Sequence, residues 1–129
     1  MKPLTTYQKR VLAALHRLSV DSDQIWWSMG DVGSVLGYYT GQVRRPTVNA
    51  LEETGLIVCQ WDELDFDERI KFAEICCYCP KSYYALTVYG EQSAESINAK
   101  WDDETLARIE QAVHMRECVR RNILEDSER

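Results

Sequence analysis

The stretch RRPTVNALEETGLIVC, residues 44–59, predicts a short helix that is followed at once by a strand. Gly55 ends the helix, because glycine readily takes the left-handed conformation found at helix stops. The LIVC run that follows is apolar and partly β-branched, as is typical of strands. Further along, YYALTVYGE, residues 83–91, predicts another strand that leads directly into a helix. We therefore expect strands at 56–61 and 82–88, paired as a hairpin between two helices.

A first helix is predicted near the start of the chain. It begins at Thr5 or Thr6, because either hydroxyl can cap the first amide groups of a helix. It carries apolar residues at helical spacing: Val11, Leu12, Leu15 and Leu18. A polar link follows, and Trp26 and Trp27 predict a short strand before the next helix.

Two further helices are predicted before the hairpin. Ser28 is followed three residues later by Asp31, which is the spacing of a capping box and predicts a helix that ends at Gly37. A turn separates this helix from the third one, predicted over 43–54. Pro46 belongs in the first turn of that helix, where its missing N–H removes no hydrogen bond from the helix.

Two helices are predicted after the hairpin. Thr87 caps one over about 88–99, and Asp102 or Asp103 caps the last, over about 103–125. The last helix has a partial apolar stripe: Leu106, Ile109, Val113, Ile123 and Leu124.

The chain is predicted to divide into a core over residues 1–100 and a C-terminal helical extension over residues 101–129. The extension is longer than the core needs, so its apolar stripe predicts a homodimer in which two copies bury that stripe. The alternative is that the last helix folds back on the first helix of its own chain.

The hairpin connection, residues 62–81, is unusually long. A loop of this length is uncommon inside a compact domain. It usually has a function, contains secondary structure of its own or is disordered. Phe66, Ile70 and Ala73 lie at helical spacing and predict a short helix in its middle. Five of the seven residues at 62–68 are acidic, so this segment repels phosphate.

Composition is that of an ordinary globular protein of 129 residues, 45% hydrophobic and 28% charged, and predicts one compact unit. The net charge is −6, but it is unevenly distributed. Residues 1–50 carry six basic and three acidic side chains, whereas residues 51–129 carry nine basic and eighteen acidic ones. A locally basic first half permits nucleic-acid binding. The N-terminal residues lack the apolar stretch of a secretory signal and no run is long enough to span a bilayer, so we expect a cytoplasmic protein with no membrane partner.

Two motifs in this order resemble the winged helix-turn-helix transcriptional regulators of bacteria and their phages. The first resembles their "LxxLExxGLI" and the second their "LTxxG", and the matching residues are Leu36, Gly37, Val48, Leu51, Glu52, Gly55, Leu56 and Ile57, then Ala85 to Gly90. The resemblance covers about residues 5–99. It implies an α+β, mostly helical fold, with a winged helix-turn-helix core, an enlarged wing hairpin and the C-terminal helical extension. It also implies a homodimeric, sequence-specific DNA-binding regulator of transcription, such as a repressor, that places its third helix in the major groove.

The outward face of the third helix gives the candidate DNA contacts. At 100° per residue, Gln42, Arg45, Pro46 and Asn49 lie opposite the apolar side. Arg45 can donate two hydrogen bonds to guanine, and Asn49 can pair with adenine in the same way. Arg44 lies nearer the packed side and suits a phosphate. The remaining candidates are Thr47 and the turn residues Tyr38, Tyr39 and Thr40, whose hydroxyls suit phosphate contacts. A solvated helix face, and tyrosines packed on the first helix, are the alternatives.

Metal and enzyme sites have little support in the sequence. Cys59, Cys76, Cys77 and Cys79 invite a zinc interpretation, but Cys76 and Cys79 form the only pair with zinc spacing, so we expect reduced, buried thiols and no metal or other cofactor. No phosphate loop, nucleophile elbow or metalloprotease motif is present, so we expect no catalysis. The alternative function is a winged helix that binds a protein through its acidic wing and does not bind DNA.

Overall fold

The computed structural model describes residues 3–38, 41–61, 65–76 and 80–127, and the side chains of these residues except Cys76 and those of 122–127. The described elements are, in chain order, α1 (Thr6–Asp21), α2 (Met29–Val35), α3 (Arg45–Glu53), β1 (Ile57–Trp61), α4 (Phe66–Cys76), β2 (Ser82–Leu86), α5 (Val88–Ser96) and α6 (Asp103–Ser127). The α+β, mostly helical class is therefore confirmed, and the order of elements is compatible with a winged helix. Among these helices, none combines the length and apolar character that crossing a membrane requires.

α1 begins where the sequence predicts. The hydroxyl of Thr5 accepts a hydrogen bond from the amide of Gln8, and the side chain of Gln8 accepts one from the amide of Thr5. This capping box satisfies two amide groups that the helix itself cannot pair. The predicted apolar face is wholly buried: Val11, Leu12, Leu15 and Leu18.

α2 also begins with the predicted capping box. The Ser28 hydroxyl accepts from the amide of Asp31, and Gly37 ends the turn after the helix with a φ of +74°. The strand expected at Trp26 and Trp27 is reduced to a single bridge. Trp27 exchanges both backbone hydrogen bonds with Tyr84, at 2.9 and 2.8 Å, and its ring is fully buried.

α3 is shorter than the predicted 43–54. Its N-cap is Arg44, so Pro46 lies in the first turn as expected, and Gly55 with a φ of +75° follows the end of the helix. The hairpin pairs β1 with β2 in antiparallel register, from Ile57 opposite Leu86 to Trp61 opposite Ser82. Thr87 then caps α5, as predicted.

The long hairpin connection contains a helix, α4, that packs on α6. The predicted helix is confirmed, but the predicted face is wrong. Phe66 and Ile70 are 75% and 42% exposed, whereas Phe72 is 4% exposed. The reason is tertiary: α4 is turned so that Phe72 lies under α6, and helical spacing alone cannot say which of two apolar faces a neighbouring helix will cover.

α6 packs on α1, α2 and α4 of its own chain. Asp102 caps it by accepting a hydrogen bond from the amide of Thr105 at 2.7 Å, and the hydrogen bonds from the hydroxyl and amide of Thr105 lower the pKa of Asp102. Ile109 is 1% exposed within the core, and Leu106 and Val113 pack against that core. For these three residues the structure shows the alternative, in which the last helix folds back on the first helix of its own chain.

This packing bears on the predicted extension, residues 101–129. Its first half is part of the core, so it is not a separate appendage to residues 1–100. The side chains of Ile123 and Leu124, which completed the predicted apolar stripe, lie outside the described residues. Dimerisation stays a prediction, with less apolar surface to support it than the sequence suggested.

Candidate nucleic-acid interface

The start of α3 is fixed by a close backbone approach to α2. A Cβ atom on Gly33 would lie 2.6 Å from the Cα of Gln42, closer than real Cβ contacts, so only glycine fits there. Gly41 has a φ of +69°, which favours glycine again. The backbone of Gly41 and Gln42 therefore lies directly against α2 at Gly33, just before α3 begins.

α3 has one buried and one exposed face, as predicted. Val48 and Leu51 are 1% and 0% exposed, and the helix packs on α1 and β1. The exposed residues at its start and along its outer face are polar or basic, apart from one proline: Gln42, Arg44, Arg45, Pro46 and Asn49. Thr47 is half-buried. Arg44 was expected nearer the packed side and is exposed, because it is the N-cap and has left the helical path.

Arg45 contacts the hairpin from this face. Its Nη1 donates to the hydroxyl of Tyr84, at a long 3.4 Å. Tyr84 is 3% exposed, and its burial, followed by its neighbour Cys59, raises its pKa. The phenol therefore remains a neutral acceptor for the guanidinium of Arg45.

Tyr38, expected to offer its hydroxyl to phosphate, is instead a packing residue. Its ring stacks on Tyr7 of α1, with centroids 4.9 Å apart and planes 8° from parallel. The hydroxyl oxygen is buried, and burial, with a smaller effect of Tyr7, raises the pKa of Tyr38 to about 12. The alternative that the sequence left open, packing on the first helix, is what the structure shows. Tyr39 and Thr40 lie outside the described residues.

A second arginine, Arg116 of α6, lies at the other face of the hairpin. Its guanidinium is 5.2 Å from the ring centroid of Trp27, 5.3 Å from that of Phe72 and 5.0 Å from that of Tyr83. It also forms an ion pair of 2.9 Å with Asp31. The side chain is only 12% exposed, so this arginine ties α6 to α2, α4 and β2.

The sequence analysis predicted an apolar stripe on this helix but no role for Arg116. A signal was present, since Arg116 is seven residues after Ile109 and therefore on the same helix face. A cavity of about 240 Å³ lies beside it, between α2, α4 and α6, and Arg108 is also on its wall.

The acidic segment before α4 has a local structural role. The side chain of Asp65 accepts from the amide of Glu68 at 2.9 Å, and the amide of Asp65 donates to the carboxylate of Glu68. Asp67 lies in the same first turn. Carboxylates are favoured at the start of a helix, where the helix dipole is positive. Asp62 and Glu63 lie outside the described residues.

The two faces of β2 make different contacts, one with Arg45 and the other with Arg116. Tyr83 and Tyr84 are consecutive, so their side chains point to opposite faces of the strand. Tyr84 contacts Arg45, whereas Tyr83 lies beside Arg116, which also covers Phe72 of α4. Phe72 of α4 and Arg45 therefore lie at opposite faces of β2.

The two cysteines whose side chains are described, Cys59 and Cys118, lie in different elements. Cys59 is half-buried on β1, opposite Tyr84 in the register. The Sγ of Cys118 lies 3.6 Å from Nε2 of His114, one helical turn earlier. The side chains of Cys76, Cys77 and Cys79 lie outside the described residues, so the zinc alternative that uses them stays untested.

Comparison of the chain with known proteins gives no match: no protein-family model matches the sequence, and no curated protein and no solved structure matches the chain. Function is therefore inferred from the residues and geometry above.

Proposed function

We propose that this chain is a sequence-specific DNA-binding regulator of the winged helix-turn-helix type, with α3 in the major groove. One observation carries the proposal. α3 buries its apolar face on α1 and β1, and it leaves exposed, at its start and on its outer face, side chains of the types that bind DNA: Gln42, Arg44, Arg45 and Asn49.

The chemistry of these side chains suits the major groove. The groove is wide enough for one helix, and its base edges are read best by side chains that make two hydrogen bonds at once. Arg45 offers such a fork to guanine, and Asn49, four residues later on the same face, offers a donor and an acceptor to adenine. Arg44 at the N-cap is suited to a phosphate oxygen, which fixes the register of the helix on the duplex.

The electrostatic arrangement supports the same proposal. An overall charge of −6 lowers attraction to phosphate at long range. Phe72 of α4 lies beside Arg116 on one face of β2, whereas Arg45 at the start of α3 contacts Tyr84 on the other face. Binding then depends on close contacts of α3, and we expect weak affinity for random duplex and a clear preference for one sequence.

The test is selection of bound sequences from a random duplex pool, followed by binding of the selected site. Arg45→Ala and Asn49→Ala are each expected to lose ~1–3 kcal/mol of discrimination at one base pair, without loss of fold. Arg121→Ala is the matched control, because Arg121 is an exposed arginine of α6 whose side chain is 70% exposed. Equal affinity and selectivity in both α3 variants and the parent would contradict the proposal.

Homodimerisation belongs to the proposal because one helix covers few base pairs and two half-sites multiply affinity. Removing α6 is not a usable test, since Ile109 is part of the core. Sedimentation equilibrium of the intact chain, alone and with the selected duplex, decides instead. A complex with one chain per duplex at saturation would remove the homodimer.

A second candidate function is protein binding at the hairpin connection, and one observation favours it. Trp61 and Phe66, 71% and 75% exposed, flank the acidic residues at the end of the hairpin. Exposed aromatic residues are enriched at protein interfaces. The dependence of affinity on salt concentration distinguishes the two functions. Affinity for DNA phosphates falls steeply as the salt concentration rises, and affinity through aromatic side chains does not. Trp61→Ala should leave DNA affinity unchanged.

A further inference from the structure

We infer that His16, Glu91 and Glu95 form a site for a divalent transition-metal ion of the zinc type, at the junction of α1 and α5. One donor atom from each of the three side chains lies within 4.8 Å of the other two. Glu91 and Glu95 are four residues apart on α5 and so project from one helical face, while His16 comes from α1. The site is remote in sequence from α3 and from all five cysteines.

The packing of the two helices brings these donors together. α1 and α5 are in direct contact, and Ala13 and Ala94 are 6% and 3% exposed. Small side chains allow two helices to approach closely, so side chains at the edge of the contact can converge on one point. Donor atoms around a zinc ion lie roughly 3.4 Å apart, for bonds of about 2.1 Å. The two glutamates are exposed, so rotation of their side chains can close the remaining gap.

The donor set selects the class of metal. Zinc, nickel and related ions accept an imidazole nitrogen together with carboxylate oxygens, whereas magnesium and calcium take oxygen ligands. The neutral imidazole of histidine is the commonest side-chain ligand of such ions. The expected ligand is therefore a zinc-type ion.

The electrostatics of α5 favour a bound cation. Two carboxylates four residues apart on a helix repel each other. Glu95 is also one residue from the end of α5, where the negative end of the helix dipole disfavours an anion. Within the part of the chain that the structure describes, neither glutamate forms an ion pair with lysine or arginine, and the nearby Arg17 pairs with Asp21 at 2.8 Å. A divalent cation would relieve both unfavourable interactions.

The site is open on one side. His16 and Glu95 line a groove of about 490 Å³ between α1 and the chain that follows α5, where Asn98 and Trp101 are also lining residues. Three protein ligands leave at least one coordination position for water or a small ligand, and this position would face the groove. The bound ion would link α1 to α5, so metal binding and folding stability should be coupled.

The test is titration of the intact, reduced protein with Zn²⁺ in competition with a chromophoric chelator. We expect one ion per chain at this site, and at least tenfold weaker binding in His16→Ala and in the double variant Glu91→Gln, Glu95→Gln. His114→Ala and Glu74→Gln are matched controls, a histidine beside Cys118 and an exposed carboxylate on α4, and should bind as the parent does.

Two further measurements keep the outcome unambiguous. Co²⁺ bound at an imidazole and carboxylate site lacks the thiolate charge-transfer bands that cysteine ligands produce. Thermal unfolding should show that Zn²⁺ raises the Tm of the parent and not that of the glutamine double variant, whose metal-free fold is checked by circular dichroism. Zinc binding that survives the double variant, strong thiolate bands, or no binding at micromolar Zn²⁺ each overturns the site.

Discussion

Two arginines lie on opposite faces of the same strand and differ in almost every contact. Arg116 is 12% exposed, with three aromatic rings around it and the carboxylate of Asp31 at 2.9 Å. Arg45 is exposed and has one long contact, to the buried hydroxyl of Tyr84. Arg116 forms its hydrogen bond and its ring contacts within the fold. Arg45 presents its guanidinium at the surface of α3. The difference teaches that surroundings, not residue type, separate a structural arginine from a candidate ligand-binding one.

The largest expected effect comes from removing the structural arginine. Arg116→Ala removes the 2.9 Å ion pair with Asp31 and empties the space between three rings. Truncating one member of a largely buried pair is strongly destabilising, so we expect a loss of about 3 kcal/mol in the free energy of unfolding, measured by urea denaturation.

The control for that variant is another arginine of the same helix. Arg121 lies 3.9 Å from Glu117 and its side chain is 70% exposed, so Arg121→Ala should cost less than about 0.5 kcal/mol. Equal effects of the two substitutions would show that the cluster around Arg116 contributes no more than a surface pair.

The position of α3 is expected to depend on a backbone contact with α2 and not on ion pairs. Alanine within a helix is ordinarily more stable than glycine, by roughly 0.5–1 kcal/mol. At Gly33 the sign should reverse, because the new Cβ would meet backbone atoms of Gln42 at 2.6 Å. We expect Gly33→Ala to lose about 2 kcal/mol of stability and to weaken DNA binding by moving the start of α3. A variant as stable as the parent would show that the turn can shift without cost.

Substitutions on the exposed face of α3 should change DNA binding but not the stability of the fold. Arg44→Ala removes one proposed phosphate contact, so the slope of log affinity against log salt should become less steep by about 0.9. The free energy of unfolding should change by less than about 0.5 kcal/mol, since Arg44 is exposed and caps α3 without a side-chain hydrogen bond. An unchanged salt slope would remove Arg44 from the interface.

The smallest effect concerns the tyrosine assigned to packing. The folded pKa of Tyr38 is about 12, above its ordinary 10.0, so its contribution to stability is complete below pH 10 and is lost as pH rises towards 12. Absorbance titration should show a late-ionising phenol that Tyr38→Phe removes, while the ring still stacks on Tyr7. If Tyr38→Phe instead removes a phenol that ionises near pH 10, the hydroxyl of Tyr38 is not buried.

Local sequence signals determined most of the secondary structure. The two capping boxes, beginning at Thr5 and Ser28, and the helix stops at Gly37 and Gly55 act over three or four residues, so the sequence contains all of the interacting groups. The outward face of α3 was predictable for the same reason, because a regular helix fixes which residues share a side.

Only the tertiary structure decided which surfaces meet. Helical spacing predicted α4 but not that Phe72, rather than Phe66, would be covered, and it identified the stripe of α6 without showing that α1, α2 and α4 cover much of it. Arg116 next to Asp31, 85 positions away, and His16 next to Glu91 depend on the packing angles of whole helices. Those angles result from many weak contacts between distant segments, and no short stretch of sequence contains them.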